Sequence, residues 1–177
     1  VTQRLEPGGY VWICPVEDST GMPHFARGEV RPFVVRAEAG GASAPAAPPA
    51  ADAVIRFVDH GYVVPEPLRA GRRTIRLENA GQQPHDVNIM RLAPGMTLAD
   101  VRRTLNPERA RRADAGPPVP LERLGRPIGG VAVIAPGTSA YFAADLAPGD
   151  YVLFCMVTAP DGRSHIEHGM LQAIRID

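Results

Sequence analysis

The stretch "YVLFCMVTAPDGRSHIEHGM", residues 151–170, runs from an aromatic, apolar segment into a loop carrying one Cys, two His and one Met. The run 151–156 is apolar on both faces, which is the pattern of a central strand rather than of an edge or a half-solvated one. The same plan occurs earlier in the chain. Shifted by 141 positions, "LEPGGYVWICPVEDSTGMPHFARGEV" aligns without a gap on "LAPGDYVLFCMVTAPDGRSHIEHGML", and ten of the first 36 positions are identical. The matches include Pro7/Pro148, Gly8/Gly149, Tyr10/Tyr151, Cys14/Cys155, Gly21/Gly162, His24/His165 and Gly28/Gly169. The repeat predicts that residues 1–37 are the closing part of one domain and that 53–177 form a complete domain of the same kind.

Between the copies lies "AEAGGASAPAAPPAAD", built from Ala, Pro and Gly with almost nothing to bury, so 38–52 reads as a semi-extended linker. Two strands cannot make a sandwich. The first copy therefore carries the expectation of a missing upstream portion of about 80 to 100 residues, the size of a small β-domain.

Composition supports an all-β reading. The chain has 177 residues, 45% of them hydrophobic, and its 18 Gly and 19 Pro favour short strands joined by turns over a helical bundle. In 53–177 the strand candidates are 53–58, 72–79, 85–92, 131–135, 139–146, 149–157 and 170–176, bounded by Gly, Pro and Asn. These seven strands predict a Greek-key β-sandwich. Ile75 and Leu77 alternate with Arg76 and Glu78, so that strand is half buried. A helical insertion interrupts the pattern: Thr97 stands three residues before Asp100 at a cap, Asn106 caps a second segment with Pro107 in its first turn, and "GPPVP" ends it.

A copper ion that shuttles one electron needs a soft thiolate, two imidazoles and a weak axial thioether. Cys155 ends the central strand, His165 follows after nine residues, and Met170 after four more. The second imidazole must come from another strand, and "ENAGQQPHDVNI" offers His85, which shares its face with Val87 and Ile89. The plainer alternatives are a buried small hydrophobe for Cys155, core packing for Met170 and a fold-supporting hydrogen bond for His165. His168 aligns with Arg27 and reads as a surface residue, and His60 sits at a turn with no chemical role.

Together, "NAGQQPHDV" and the downstream "GDYVLFC…H…GM" resemble the cupredoxins, the blue-copper family of plastocyanin, azurin and the type 1 domain of copper nitrite reductase. The resemblance spans about 53–177 and, truncated, 1–36. It implies that His85, Cys155, His165 and Met170 hold one type 1 copper. It also has departures. The Cys-to-His loop is longer than in plastocyanin and closer to nitrite reductase. Asp86 stands where many blue-copper proteins carry an Asn that ties the two ligand loops together, and Glu29 occupies the position of Met170 in the first copy, whose upstream His is not in the chain.

Nothing points to an enzyme: five His with no His-x-His pair exclude a trinuclear cluster, the two Cys lie in different copies, and no phosphate loop, Cys-x-x-Cys or nucleophile elbow occurs. Zero formal net charge gives no signal for nucleic acid or an anionic membrane, and no stretch approaches a membrane span. Two expectations follow. One is a periplasmic or otherwise extracytoplasmic electron carrier that passes its electron through the more exposed imidazole His165 to a protein redox partner, with Arg102, Arg103, Arg109, Arg111 and Arg112 as a docking patch or a solvated helix face. The other is a copper-free accessory or scaffolding subunit of a larger, membrane-associated assembly.

Overall fold

The computed structural model describes residues 1–37, 47–65, 67–106 and 119–177. The chain forms two compact units, one of Val1–Gln3 with Pro49–Asp177 and the other of Arg4–Pro48.

In the larger unit, β1 (Thr2–Gln3), β4 (Ala53–Val58), β5 (Gly61–Val63), β6 (Gly71–Asn79) and β9 (Ser139–Leu146) make a five-stranded sheet in the order β1-β9-β6-β4-β5. A four-stranded sheet in the order β11-β10-β7-β8 is built from β7 (His85–Leu92), β8 (Gly125–Ile134), β10 (Gly149–Phe154) and β11 (Leu171–Ile176). The chain changes sheet after β6, β8 and β9, as Greek-key connections do. The inner faces share one core: Ile55, Phe57, Ile75, Leu77 and Phe142 from the first sheet, and Val87, Ile89, Tyr151 and Leu153 from the second. This is the all-β sandwich that the alternation predicts.

β10 is two-faced for a specific reason. Tyr151 and Leu153 enter the sandwich core, whereas Val152 and Phe154 pack on the outer side with Val101 of α1 (Leu98–Leu105) and Leu124 of α2 (Leu121–Leu124). The helical insertion thus covers the second face of the central strand. Its start is fixed by a capping box in which Thr97 accepts from the Asp100 amide and Asp100 accepts from the Thr97 amide.

Several boundaries differ from expectation. The turn containing His60 is a tight connection between β4 and the added strand β5, with His60 at φ 67°. β8 begins at Gly125 rather than 131, because Gly129 and Gly130 take positive φ and bring the strand against Val87, whose carbonyl a side chain on Gly130 would strike. β10 ends at Phe154, and Met156 is 53% exposed rather than central. Asn106 closes α1, and the second segment expected to open there with Pro107 falls outside the described residues. Residues 107–118, with Pro107, Arg109, Arg111, Arg112 and most of "GPPVP", lie outside the described residues, as do 38–46 of the linker.

The smaller unit is a two-stranded ribbon, β2 (Gly8–Ile13) with β3 (Val30–Val35), joined by a loop ending in the 3-10 turn His24–Arg27. Its six cross-strand pairs, Gly8↔Val35 to Ile13↔Val30, have the register of Gly149↔Ile176 to Phe154↔Leu171. The loop bonds recur as well. His24 N–H donates to Val16 O at 2.8 Å, as His165 N–H does to Val157 O, and the Cys14 amide donates to Glu29 O at 3.2 Å, as that of Cys155 does to Met170 O. Gly28 and Gly169 sit at φ 105° and 104°.

Candidate metal centre

His85 begins β7, next to a break in its ladder with β8 between His85 and Val87, the kind of bulge that re-aims a side chain. The loop before it is held by Asn79, whose buried amide donates to Gln83 O at 2.8 Å and Ile134 O at 3.0 Å and accepts from the Gly81 amide at 3.0 Å. Asp59, at the end of β4, takes the amides of Gln82 and Gln83. Gly81 must be Gly, since a Cβ there would collide with Asp59 Oδ1 and sit 3.1 Å from His85 Nε2. Cys155 and His165 come from the loop after β10. Met170, just before β11, donates its amide to His165 O at 2.8 Å and accepts from the Cys155 amide at 3.2 Å.

Three of the four expected atoms converge. His85 Nδ1 and His165 Nδ1 are 3.0 Å apart, and Cys155 Sγ lies 3.3 Å from His165 Nδ1 and 4.0 Å from His85 Nδ1. His85, Cys155, His165 and Met170 are all 0% exposed. Met170 lies in the same apolar cluster as Cys155 and Tyr151.

The far ring nitrogens both have acceptors within reach. His85 Nε2 donates to the Asp59 carboxylate at 3.1 Å and His165 Nε2 donates to Gln83 Oε1 at 3.3 Å. In the neutral rings both Nδ1 atoms are then lone-pair acceptors, facing each other across 3.0 Å in a buried site. Burial first, then the neighbouring His85, His60 and His168 rings, holds His165 down at about 4, so it stays neutral. The Cys155 thiol is pushed up to about 12, chiefly by burial and then by the Asp86 carboxylate. Without a cation it is a thiol with one proton to offer to two imidazole acceptors. Bonds of about 2.0 to 2.3 Å from one centre place such ligand atoms about 3 to 4 Å apart, the spacings seen here. The donor set fits a soft or borderline metal ion that displaces the thiol proton.

Asp86 performs the tie expected of the Asn it replaces, since its Oδ1 accepts the Met156 amide at 2.9 Å and links the Cys155 loop to β7. Burial raises its pKa. Burial also pushes the Asp59 carboxyl up, but the bonds from His85, Gln82 and Gln83 together leave it below its ordinary value.

Sequence reasoning missed Asp59, Gln83 and the placement of His60. The His60 ring meets His165 edge-on at 5.6 Å and stacks on His168 at 4.5 Å, so neither His60 nor His168 is incidental to the site's surroundings. The expectation of an exposed His165 fails for the same reason: Gln83 and His60 pack against it, and it is as buried as His85. Of the Arg patch, Arg102 and Arg103 are described; Arg103 pairs with Asp100 at 2.6 Å on the exposed side of α1.

No family model and no curated protein sequence matches the chain. Among solved structures, a dithionite-reduced auracyanin from the photosynthetic bacterium Roseiflexus castenholzii is similar at 23% identity, over 70% of this chain and 94% of that one, with a TM-score of 0.42. Auracyanin B is similar at 17% identity, over 74% and 93%, with a TM-score of 0.43.

Proposed function

We propose that the larger unit is a cupredoxin-type module that carries one electron on a mononuclear copper held by His85, Cys155, His165 and Met170. The observation that carries this reading is the pair of inward Nδ1 atoms, their rings held from the far side by Asp59 and Gln83, converging with Cys155 Sγ in a buried site. Bound there, copper would draw on one-electron redox chemistry at a thiolate-imidazole set, with Met170 as the residue that would supply the thioether. The protein's own residues do the rest. Asp59 and Gln83 keep both rings in one tautomer and orientation. Asp86 locks the Cys155 loop to the strand bearing His85. The surrounding core, with Tyr151 and Leu153, excludes water and resists rearrangement.

On this reading the chain is an electron carrier rather than an enzyme, works outside the cytoplasm and meets a protein redox partner. No described helix is long and apolar enough to cross a membrane. Adding Cu(II) to the purified chain is expected to give an intense visible thiolate-to-copper band at one equivalent, lost in Cys155→Ser and kept in Cys14→Ser. A colourless protein that takes up no copper overturns the reading and leaves the copper-free scaffold in its place.

A further inference from the structure

The ribbon of the smaller unit gathers a second set of ligand-type atoms. Cys14 Sγ lies 3.6 Å from His24 Nδ1, and His24 Nδ1 lies 3.4 Å from Glu29 Oε2. All three ligand atoms fall within 4.8 Å of one another. We propose that Cys14, His24 and Glu29 bind a divalent cation of the zinc class, in a site that is redox-inert and leaves one coordination position to solvent.

Three observations carry this. The first is metric. A tetrahedral zinc centre, with bonds of about 2.3 Å to sulfur and 2.0 to 2.1 Å to nitrogen and oxygen, has S···N edges of about 3.5 Å and N···O edges of about 3.3 Å. The two measured edges match both. The second is the frame. The amide of Glu29 donates to His24 O at 3.0 Å and its carbonyl accepts from Cys14, the pattern that gathers Cys155, His165 and Met170 in the other copy. In both copies the same imidazole nitrogen, Nδ1, is turned toward the sulfur. The third is donor chemistry. A carboxylate in the thioether position favours a harder, divalent ion over a soft monovalent one, and thiolate, imidazole and carboxylate together are a zinc-type set. Among the described residues this group holds one imidazole, so the two-imidazole set proposed for His85 and His165 is absent from it.

Access is open. Side-chain exposure is 33% for His24 and 60% for Glu29, and a shallow depression lined by Trp12, Cys14, Glu29 and Arg31 reaches the site. An exposed His–Glu ion pair by itself contributes little and does not account for the sulfur turned toward the same nitrogen.

The test uses the full chain carrying Cys155→Ser, which removes the other thiolate and makes the result independent of the copper reading. Co(II) is the optical probe, and Zn(II) is read by competition and by metal content after dialysis. Expected is a thiolate-to-cobalt near-ultraviolet band that saturates at one equivalent and is displaced by Zn(II). Adding Cys14→Ser abolishes it, and Glu29→Gln, a change at an exposed position, weakens Zn(II) binding at least about tenfold. Should Cys155→Ser not fold, Cys14→Ser in the otherwise unchanged chain must remove one of two thiolate bands. Absence of a Cys14-dependent band, or Zn(II) binding unchanged by Glu29→Gln, overturns the proposal.

Discussion

The ribbons 8–35 and 149–176 share register, loop hydrogen bonds and positive-φ glycines, yet they live in opposite environments. Val152, Leu153 and Phe154 are at most 8% exposed, while their counterparts Val11, Trp12 and Ile13 are 54%, 70% and 55% exposed. Local sequence is therefore enough to specify the frame that brings a Cys, a His and a third side chain together. It does not specify burial, which β7, the opposing sheet and the two helices supply to the ribbon 149–176. The chemistry follows the environment. In the dry copy, Asp59 and Gln83 constrain the ring tautomers and burial raises the thiol; the wet copy holds a solvent-facing carboxylate.

Exchanging the third side chain is the most forceful way to break this equivalence. Met170→Glu places a carboxylate where exposure is 0%, with a cost of roughly 3 kcal/mol or more in the metal-free chain. The reciprocal Glu29→Met, on an exposed ribbon, should stay within about 0.5 kcal/mol. Urea midpoints of the two variants measure the asymmetry, and equal shifts would show that the frames, not their surroundings, set the energetics.

pH gives a second handle. His165 is held at about 4 against an ordinary 6.5, so above pH 6.5 neither the folded nor the unfolded state binds its proton. As pH falls from 6.5 toward 4 the unfolded chain takes up the proton first, and the metal-free fold loses on the order of 3 kcal/mol through this group. Stability measured across that window should slope with pH in the native sequence and flatten in His165→Gln. A slope that survives the substitution would assign it elsewhere.

How much of this was legible in the sequence depended on whether the signal was local. The repeat, the two-faced strand at 151–154, the Thr97–Asp100 cap and the turn "NAGQQP" that leads into His85 are all carried by neighbouring residues. Asp59 was not legible, because it reaches His85 only through the parallel pairing of β4 with β6, which delivers the loop after Asn79 to the end of β4. The early start of β8 was hidden for a related reason: "GRPIGG" has loop composition, yet Gly125 and Gly130 approach the β7 backbone and Gly129 approaches the Phe142 ring of β9. His165 looked exposed because nothing in its own loop announces that His60 and Gln83 cover it.

The smallest expected effect isolates burial most cleanly. Tyr151 and Tyr10 donate their hydroxyls to the carbonyl four residues upstream, Ala147 O and Glu6 O, each at 2.7 Å. The bond is the same and so is the strand position, but Tyr151 is 1% exposed whereas Tyr10 is only half-buried. A lost hydrogen bond costs little where water replaces the missing partner, as at the exposed Tyr10 bond, and more where water reaches the site less freely, as at the part-buried Tyr151 bond. Tyr151→Phe should therefore lower stability by about 1 kcal/mol and Tyr10→Phe by only a few tenths. Matched denaturation midpoints for the pair would mean that the strand-leading turn, and not the sandwich around it, determines what this bond contributes.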